Sequence, residues 1–361
     1  MAFSKTSIAI ASCLCCMAML STACKTSKKG GGEVPVKDTV ALHIPGKFHP
    51  GHYVYIYDAG VSLSTIQGYE SQAIVGVNRR YWWRDLEKQA GVYDFSAIAS
   101  DLADAKRYGK QLIALIADKS STAKSACPAY LDDIQTATSV GGMVPFRWTD
   151  EYITAFTALM NAIGNQFDSD PNFEGVGLQE TALSLSNNVL AQLPSKYAYS
   201  DQKYSDAIVK YVSATAKAMP NSRVFWLMNY LGGGTPIPAS IPQALVPYLV
   251  VMGGPDILPW RTTLNSQIYP LYDQFYGKLP LCCSMQEDSF HTNQFDVTNT
   301  NPHSHSDEGG YASMEDLLIF GRDRLHLNYI IWSYKYVDGP GYPGANTWDD
   351  ALAAINKYPV L

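Results

Sequence analysis

Cysteine is scarce where a fold would need it. Four of the seven fall within the first 24 residues, leaving only Cys127, Cys282 and Cys283 for the rest of the chain. An odd remainder is no disulfide framework, and none of the three stands in a C-x-x-C pair of the kind that holds zinc. Cys282 and Cys283 sit inside an apolar run, where a thiol acts as a small hydrophobe. No Gly-x-Gly-x-x-Gly loop follows the first strand-like segment, and the triplet Gly232–Gly234 lacks that spacing, which argues against a dinucleotide site. A Gly-x-Ser-x-Gly elbow is missing too, against a serine-nucleophile triad. Basic excess is absent: 27 Lys and Arg face 33 Asp and Glu, a net charge of −6, the wrong sign for a nucleic-acid partner. Neither an internal repeat nor a second domain is visible.

What the chain does have is apolar and aromatic mass. With 47% apolar residues it can bury a large core, and 24 Tyr with seven Trp would suit a cleft that stacks on flat ligand faces as well as a plain core. The N-terminal stretch reads as an export signal, with Lys5 before an apolar run from Ile8 to Leu20. That run is shorter than the roughly 20 residues a spanning helix needs. The segment Leu20-Ser21-Thr22-Ala23-Cys24 resembles a bacterial lipoprotein signal, with Ser21 where Leu is commoner. The resemblance implies a signal peptide over residues 1–23 and a lipid on Cys24, anchoring the protein in a membrane of the cell envelope. Lys25 in place of Asp points, by the same resemblance, to the outer membrane. Ordinary signal cleavage near Ala23 is the alternative. Residues 24–45 are polar, Gly-rich and free of aromatics, as a flexible tether requires.

From residue 46 to 361, strand-length apolar runs alternate with helical patterns. The runs are Tyr53–Tyr57, Ala73–Asn78, Gln111–Ala117, Gly175–Gln179, Val224–Met228, Leu249–Met252, Pro280–Met285 and Tyr329–Ser333. Ile153, Phe156, Met160, Ile163 and Phe167 make one apolar stripe at steps of three and four. Phe95, Ile98, Leu102 and Ala105 make another, with Gly109 placed to end it. A third runs from Tyr204 to Met219 and stops at Pro220. Ser313 with Asp316, and Thr347 with Asp350, are spaced to cap the last two helices. Between the fifth and sixth strands Pro236, Pro238, Pro242 and Pro247 leave room only for short turns. Eight strands alternating with helices predict an α/β fold, a single (β/α)8 TIM barrel of ordinary size. Two long connections, 119–148 and 288–313, follow strands and therefore lie over its mouth.

Barrels of this kind place reactive groups at the carboxyl ends of their strands. Glu180 ends the fourth run and Glu287 the seventh, with Asp288 as an adjacent competitor. Two carboxylates so placed are the minimum for glycoside hydrolysis. The segment Val75–Phe95, through Trp83, Leu86, Glu87, Gly91, Tyr93, Asp94 and Phe95, resembles the second-strand region of clan A retaining glycoside hydrolases. That resemblance implies Glu180 as acid/base and Glu287 as nucleophile, although the family's Asn before the acid is Gln179 here. It further implies Trp332 as a floor for the sugar and one of Arg79 or Arg80 beside the nucleophile. Substrate contacts are expected from Arg80, Trp83, Asp118, Gln179 and Trp332, and from His303 and His305 in a polar loop. Asp118 reads equally as a loop cap, and Trp332 as a core Trp. An H-x-H with nearby acids can bind a metal, but the polar, Gly-terminated setting favours a sugar-binding lid, and no metal or cofactor is expected. A proton-donating Glu180 requires a raised pKa. The competing expectation is a glycan-binding lipoprotein whose barrel no longer catalyses.

Overall fold

The computed structural model describes residues 43–57, 61–254, 256–290, 312–334 and 346–361. Eight parallel strands close on themselves: β1 (Gly51–Ile56), β2 (Ile74–Trp82), β3 (Gln111–Ala117), β4 (Phe173–Leu178), β5 (Arg223–Leu227), β6 (Val251–Gly254), β7 (Leu281–Met285) and β8 (Tyr329–Ser333). Each pairs with its sequence neighbours, and β1 joins β8 from Gly51 opposite Tyr329 to Tyr55 opposite Ser333. The fold class is therefore the expected one. Every predicted strand is present, shifted by at most two residues at most of its ends.

The helices obey the patterns that announce them. Helix α1 (Ser96–Arg107) buries Ile98, Leu102 and Ala105, and Gly109 after it takes φ +64°, a conformation costly for any residue with a Cβ. Helix α2 (Asp150–Phe167) starts at Thr149, whose hydroxyl accepts from the Tyr152 amide, with Asp150 and Glu151 at the positive end of the helix dipole. Helix α3 (Asp201–Ala218) buries Tyr204, Ile208, Tyr211 and Val212. The proline-rich connection yields only a six-residue α4 (Ser240–Leu245), and α5 (Tyr269–Phe275) follows the sixth strand. Both α6 (Met314–Ile319) and α7 (Trp348–Lys357) begin with reciprocal capping boxes, Ser313 with Asp316 and Thr347 with Asp350. Among the described residues no helix is long and apolar enough to cross a membrane.

Two apolar layers result from strand alternation. Inside the barrel lie Tyr53, Ile113, Phe225, Val251, Cys282, Tyr329 and Ile331. Between strands and helices lies the larger core, including Val77, Ile116, Val176, Trp226 and Trp332. All three thiols of the barrel are free and buried. The closed end is sealed by Glu174, which is fully buried: its carboxylate accepts from the Tyr329 hydroxyl at 2.6 Å and contacts His49 Nδ1 at 2.6 Å. Glu174 is also the extra residue of a bulge, since Leu112 pairs with Phe173 while Ile113 pairs with Gly175. Gly175 is obligatory there, because a Cβ would lie 1.8 Å from the Arg223 carbonyl oxygen.

Candidate active site

At the carboxyl ends of the strands a cleft of about 770 Å³, counted to its open mouth, is lined by Tyr55, Asn78, Arg80, Glu180, Gln286 and Ser333 among others. Glu180 follows β4 directly. Its carboxylate takes a hydrogen bond from Lys119 Nζ at 2.8 Å and one from Asn229 Nδ2 at 2.7 Å. The expected upward shift in its pKa is not found. Burial pushes the carboxyl up, but the Lys119 charge and the two hydrogen bonds outweigh it and hold the pKa below the usual glutamate value. Glu180 is thus an anion near neutral pH.

The residue with the raised pKa is one the sequence reading passed over. Asp256 lies just past β6, and burial, together with the negative charges of Asp288 and Glu180, lifts its pKa to about 7 despite Arg261. Asp288 itself is paired with Arg261 at 2.9 Å. Lys119, Asn229 and Asp256 all stand one or two residues beyond a strand end, the same signal that marked Glu180. Two acceptors near this rim are orphaned: Asn78 Oδ1 and Asn229 Oδ1 are buried without a hydrogen-bond partner. Buried acceptors are rarely left so, and a polyhydroxylated ligand would supply the missing donors.

Several expected contacts are corrected. Trp83 has no exposed surface; its indole donates to Glu87 Oε2 at 2.7 Å and packs edge-on against Tyr152 and Phe156. The segment that carries the family resemblance is a structural clasp, closed by the Glu87 contact to the Gly91 amide. Trp332 also faces away from the cleft. Tyr329 and Ile331 point into the barrel and Ser333 lines the cleft, so alternation sends Trp332 outward, where its indole donates to His52 Nδ1 at 3.1 Å. Asp118 is locked in a buried bidentate pair with Arg147 at 2.6 and 2.7 Å, and also accepts from the Tyr152 hydroxyl. At 2% exposure it is out of reach of a sugar. Gln179 lines the cleft, but its amide accepts from the backbone of Asp118 and Lys119 and donates to the Lys119 carbonyl, riveting β4 to β3.

The two adjacent arginines part as alternation demands. Arg79 turns outward to Asp101 on α1 and to the Val61 carbonyl, whereas Arg80 faces the cleft. Glu287 opens a four-residue helix, Glu287–Phe290, immediately after β7; its side chain lies outside the described residues. His303, His305 and Cys24 lie outside them as well. Among the described residues no group of His, Cys, Asp and Glu is arranged to hold a metal ion.

No family model matches the chain, and no curated protein sequence does. Solved structures do resemble its fold. The catalytic domain of a beta-amylase from Paenibacillus polymyxa superposes with a TM-score of 0.54 at 10% identity, covering 85% of this chain and 97% of that one. An exo-beta-1,4-mannosidase, Op5Man5 from Opitutaceae bacterium strain TAV5, gives 0.52 at 12%, covering 90% and 62%. GH5_18 from Streptomyces cattleya, solved with GlcNAc, gives 0.52 at 12%, covering 86% and 80%. At such identities what is shared is the architecture: this chain is a (β/α)8 barrel of the kind on which those carbohydrate-active proteins are built.

Proposed function

We propose that the protein hydrolyses glycosidic bonds by double displacement, using two carboxyl groups at the barrel mouth. The observation that carries this reading is the placement of Glu180 in the cleft just past β4, with Asp256 just past β6 and close enough to feel its charge. A retaining mechanism needs an anionic carboxylate and a protonated one in the same site. Glu180, held ionised by Lys119 and Asn229, fits the nucleophile: one oxygen attacks the anomeric carbon while the leaving oxygen takes a proton. Asp256, neutral up to about pH 7, fits the donor of that proton. Once ionised it would take a proton from water, whose oxygen displaces Glu180 and frees the sugar. This reverses the role that the family resemblance implies for Glu180. Glu287 stays in the proposal as the alternative second carboxylate. The orphaned acceptors of Asn78 and Asn229 support a hydroxyl-rich ligand. Structural neighbours that include a mannosidase and a GlcNAc complex are in keeping with such a ligand.

The place of action proposed is the cell envelope, with the barrel held by a lipid on Cys24. Metabolic labelling with a fatty acid, lost in Cys24→Ala, tests the anchor. For the chemistry, the test is a screen of polysaccharides and aryl glycosides with wild type, Glu180→Gln, Asp256→Asn and Glu287→Gln. The anomer first released is read by NMR. The proposal expects retention, with loss in Glu180→Gln and in Asp256→Asn, the latter milder on substrates with good leaving groups. Equal activity in all four proteins removes the mechanism. A second reading, a glycan-binding barrel without catalysis, is favoured by the Lys119 clamp on Glu180. It predicts glycan binding with no turnover in any of them.

A further inference from the structure

Among the described residues, Arg80 is the one cation held close against two aromatic rings. Its guanidinium carbon lies 3.7 Å from the centroid of the Tyr57 ring and 4.1 Å from that of Trp82. Both rings thus present a face to the cation. The N–H donors of a guanidinium lie in its own plane. Holding the group against two rings removes part of the entropy a free arginine would lose on binding. Arg80, on β2 beside β1, lines the same cleft as Glu180, which follows β4.

Its charge is also unanswered. Neighbouring charges among the described residues are paired: Lys119 holds Glu180, Arg147 holds Asp118, Arg261 holds Asp288, and Arg79 holds Asp101. Among the described residues Arg80 has no carboxylate partner and no hydrogen bond. A planar fork of donors, held in place by two rings, matches a planar bidentate acceptor, which is a carboxylate.

We propose that Arg80 makes this a site for acidic sugars, the ligand being a uronic-acid residue whose carboxylate docks edge-on against the guanidinium held by Tyr57 and Trp82. The inference rests on the carbohydrate reading above and names the substrate class of that site. It does not require that Glu180 and Asp256 catalyse.

The test uses the exported chain with its barrel intact, as wild type, Glu180→Gln, Arg80→Lys and Arg80→Gln. Probes are glucuronic and galacturonic acids, their methyl esters, glucose, galactose and glucose 6-sulfate, titrated by ligand-observed NMR. A uronate should bind wild type and Glu180→Gln on the order of 10- to 100-fold more tightly than its methyl ester, the range expected for hydrogen bonds to a charged group. The preference should shrink as salt is added. In Arg80→Gln the acid and ester should bind alike, and Arg80→Lys should recover part of the difference, because an ammonium keeps the charge without the fork. Should Arg80→Gln not fold, the acid-against-ester comparison on wild type decides alone. Equal binding of acid and ester, a preference that survives in Arg80→Gln, or tighter binding of the sulfated sugar would each overturn the inference. Uronate selectivity without any glycoside turnover would instead refute the hydrolytic reading and leave this one standing. Turnover of neutral glycosides with no preference for acidic ones would do the reverse.

Discussion

Replacing Asp256 by Asn separates stability from activity in a way that can be worked out beforehand. The folded pKa of about 7 stands above the ordinary aspartate value of 3.8. A raised folded pKa in an acid means that the native state binds more protons than the unfolded chain between those two values. Stability therefore falls as pH rises through that window and levels off above about 7. The gap amounts to about 4 kcal/mol at roughly 1.36 kcal/mol per pH unit, a sizeable share of the ~5–15 kcal/mol that holds a domain together. Asn keeps the shape and cannot ionise. Wild type and Asp256→Asn should then be similarly stable near pH 4, and the variant should gain steadily to about 4 kcal/mol by pH 8. Urea melts at pH 4, 5, 6, 7 and 8 measure this directly. Over the same range kcat/KM of wild type should fall as Asp256 ionises, while that of the variant is low throughout. Such a trade of stability for reactivity is what a functional carboxyl is expected to make. Melting curves of the two proteins that stay parallel from pH 4 to 8 would refute the reasoning, because Asp256 would then titrate as an ordinary aspartate.

Lys119→Met removes the charge that holds Glu180 ionised, so burial is left to push that carboxyl up; the acidic limb of the pH–activity profile should move to higher pH, and an unmoved limb contradicts the pairing. Asp118→Ala strands the Arg147 charge in the core and should cost about 3–5 kcal/mol in denaturant melts; a change in KM without that loss would return Asp118 to the substrate. Phe225→Ala hollows the barrel interior, where Phe225 packs against Tyr329 at 5.0 Å between centroids; a loss of about 3–5 kcal/mol is expected, and a much smaller one would mean that the interior layer collapses to fill the space.

The barrel was legible because its signals are local. Each strand is an apolar run bounded by breakers, and each helix has its own stripe, as Ile98, Leu102 and Ala105 show, or its own cap, as Ser313 and Asp316 show. Position at a strand end was legible too, and it found Glu180. Facing was not. In Tyr329–Ser333 both faces of the strand are buried, one by the barrel interior and one by helices, so the run carries no alternation to reveal that Trp332 turns outward. Long-range pairing was equally hidden: Asp118 reads as a free strand-end acid until Arg147, 29 residues on, folds back over it. The same holds for Glu180, whose charge state is set by Lys119 and Asn229 from two other strand ends. Asp256 lacked an apolar run as long as the others to announce it, because β6 has only four residues.

The supernumerary residue in β4 is confined to the base of the barrel. Gly175 to Leu178 pair with Ile113 to Ile116 without further interruption, so excising Glu174 would leave Phe173 and Gly175 facing consecutive residues of β3, as in an unbulged pair. The Gln179 rivet and Glu180 would keep their facing. What would go is the anion that Tyr329 and His49 grip. The base can therefore lose its carboxylate without re-aiming the rim.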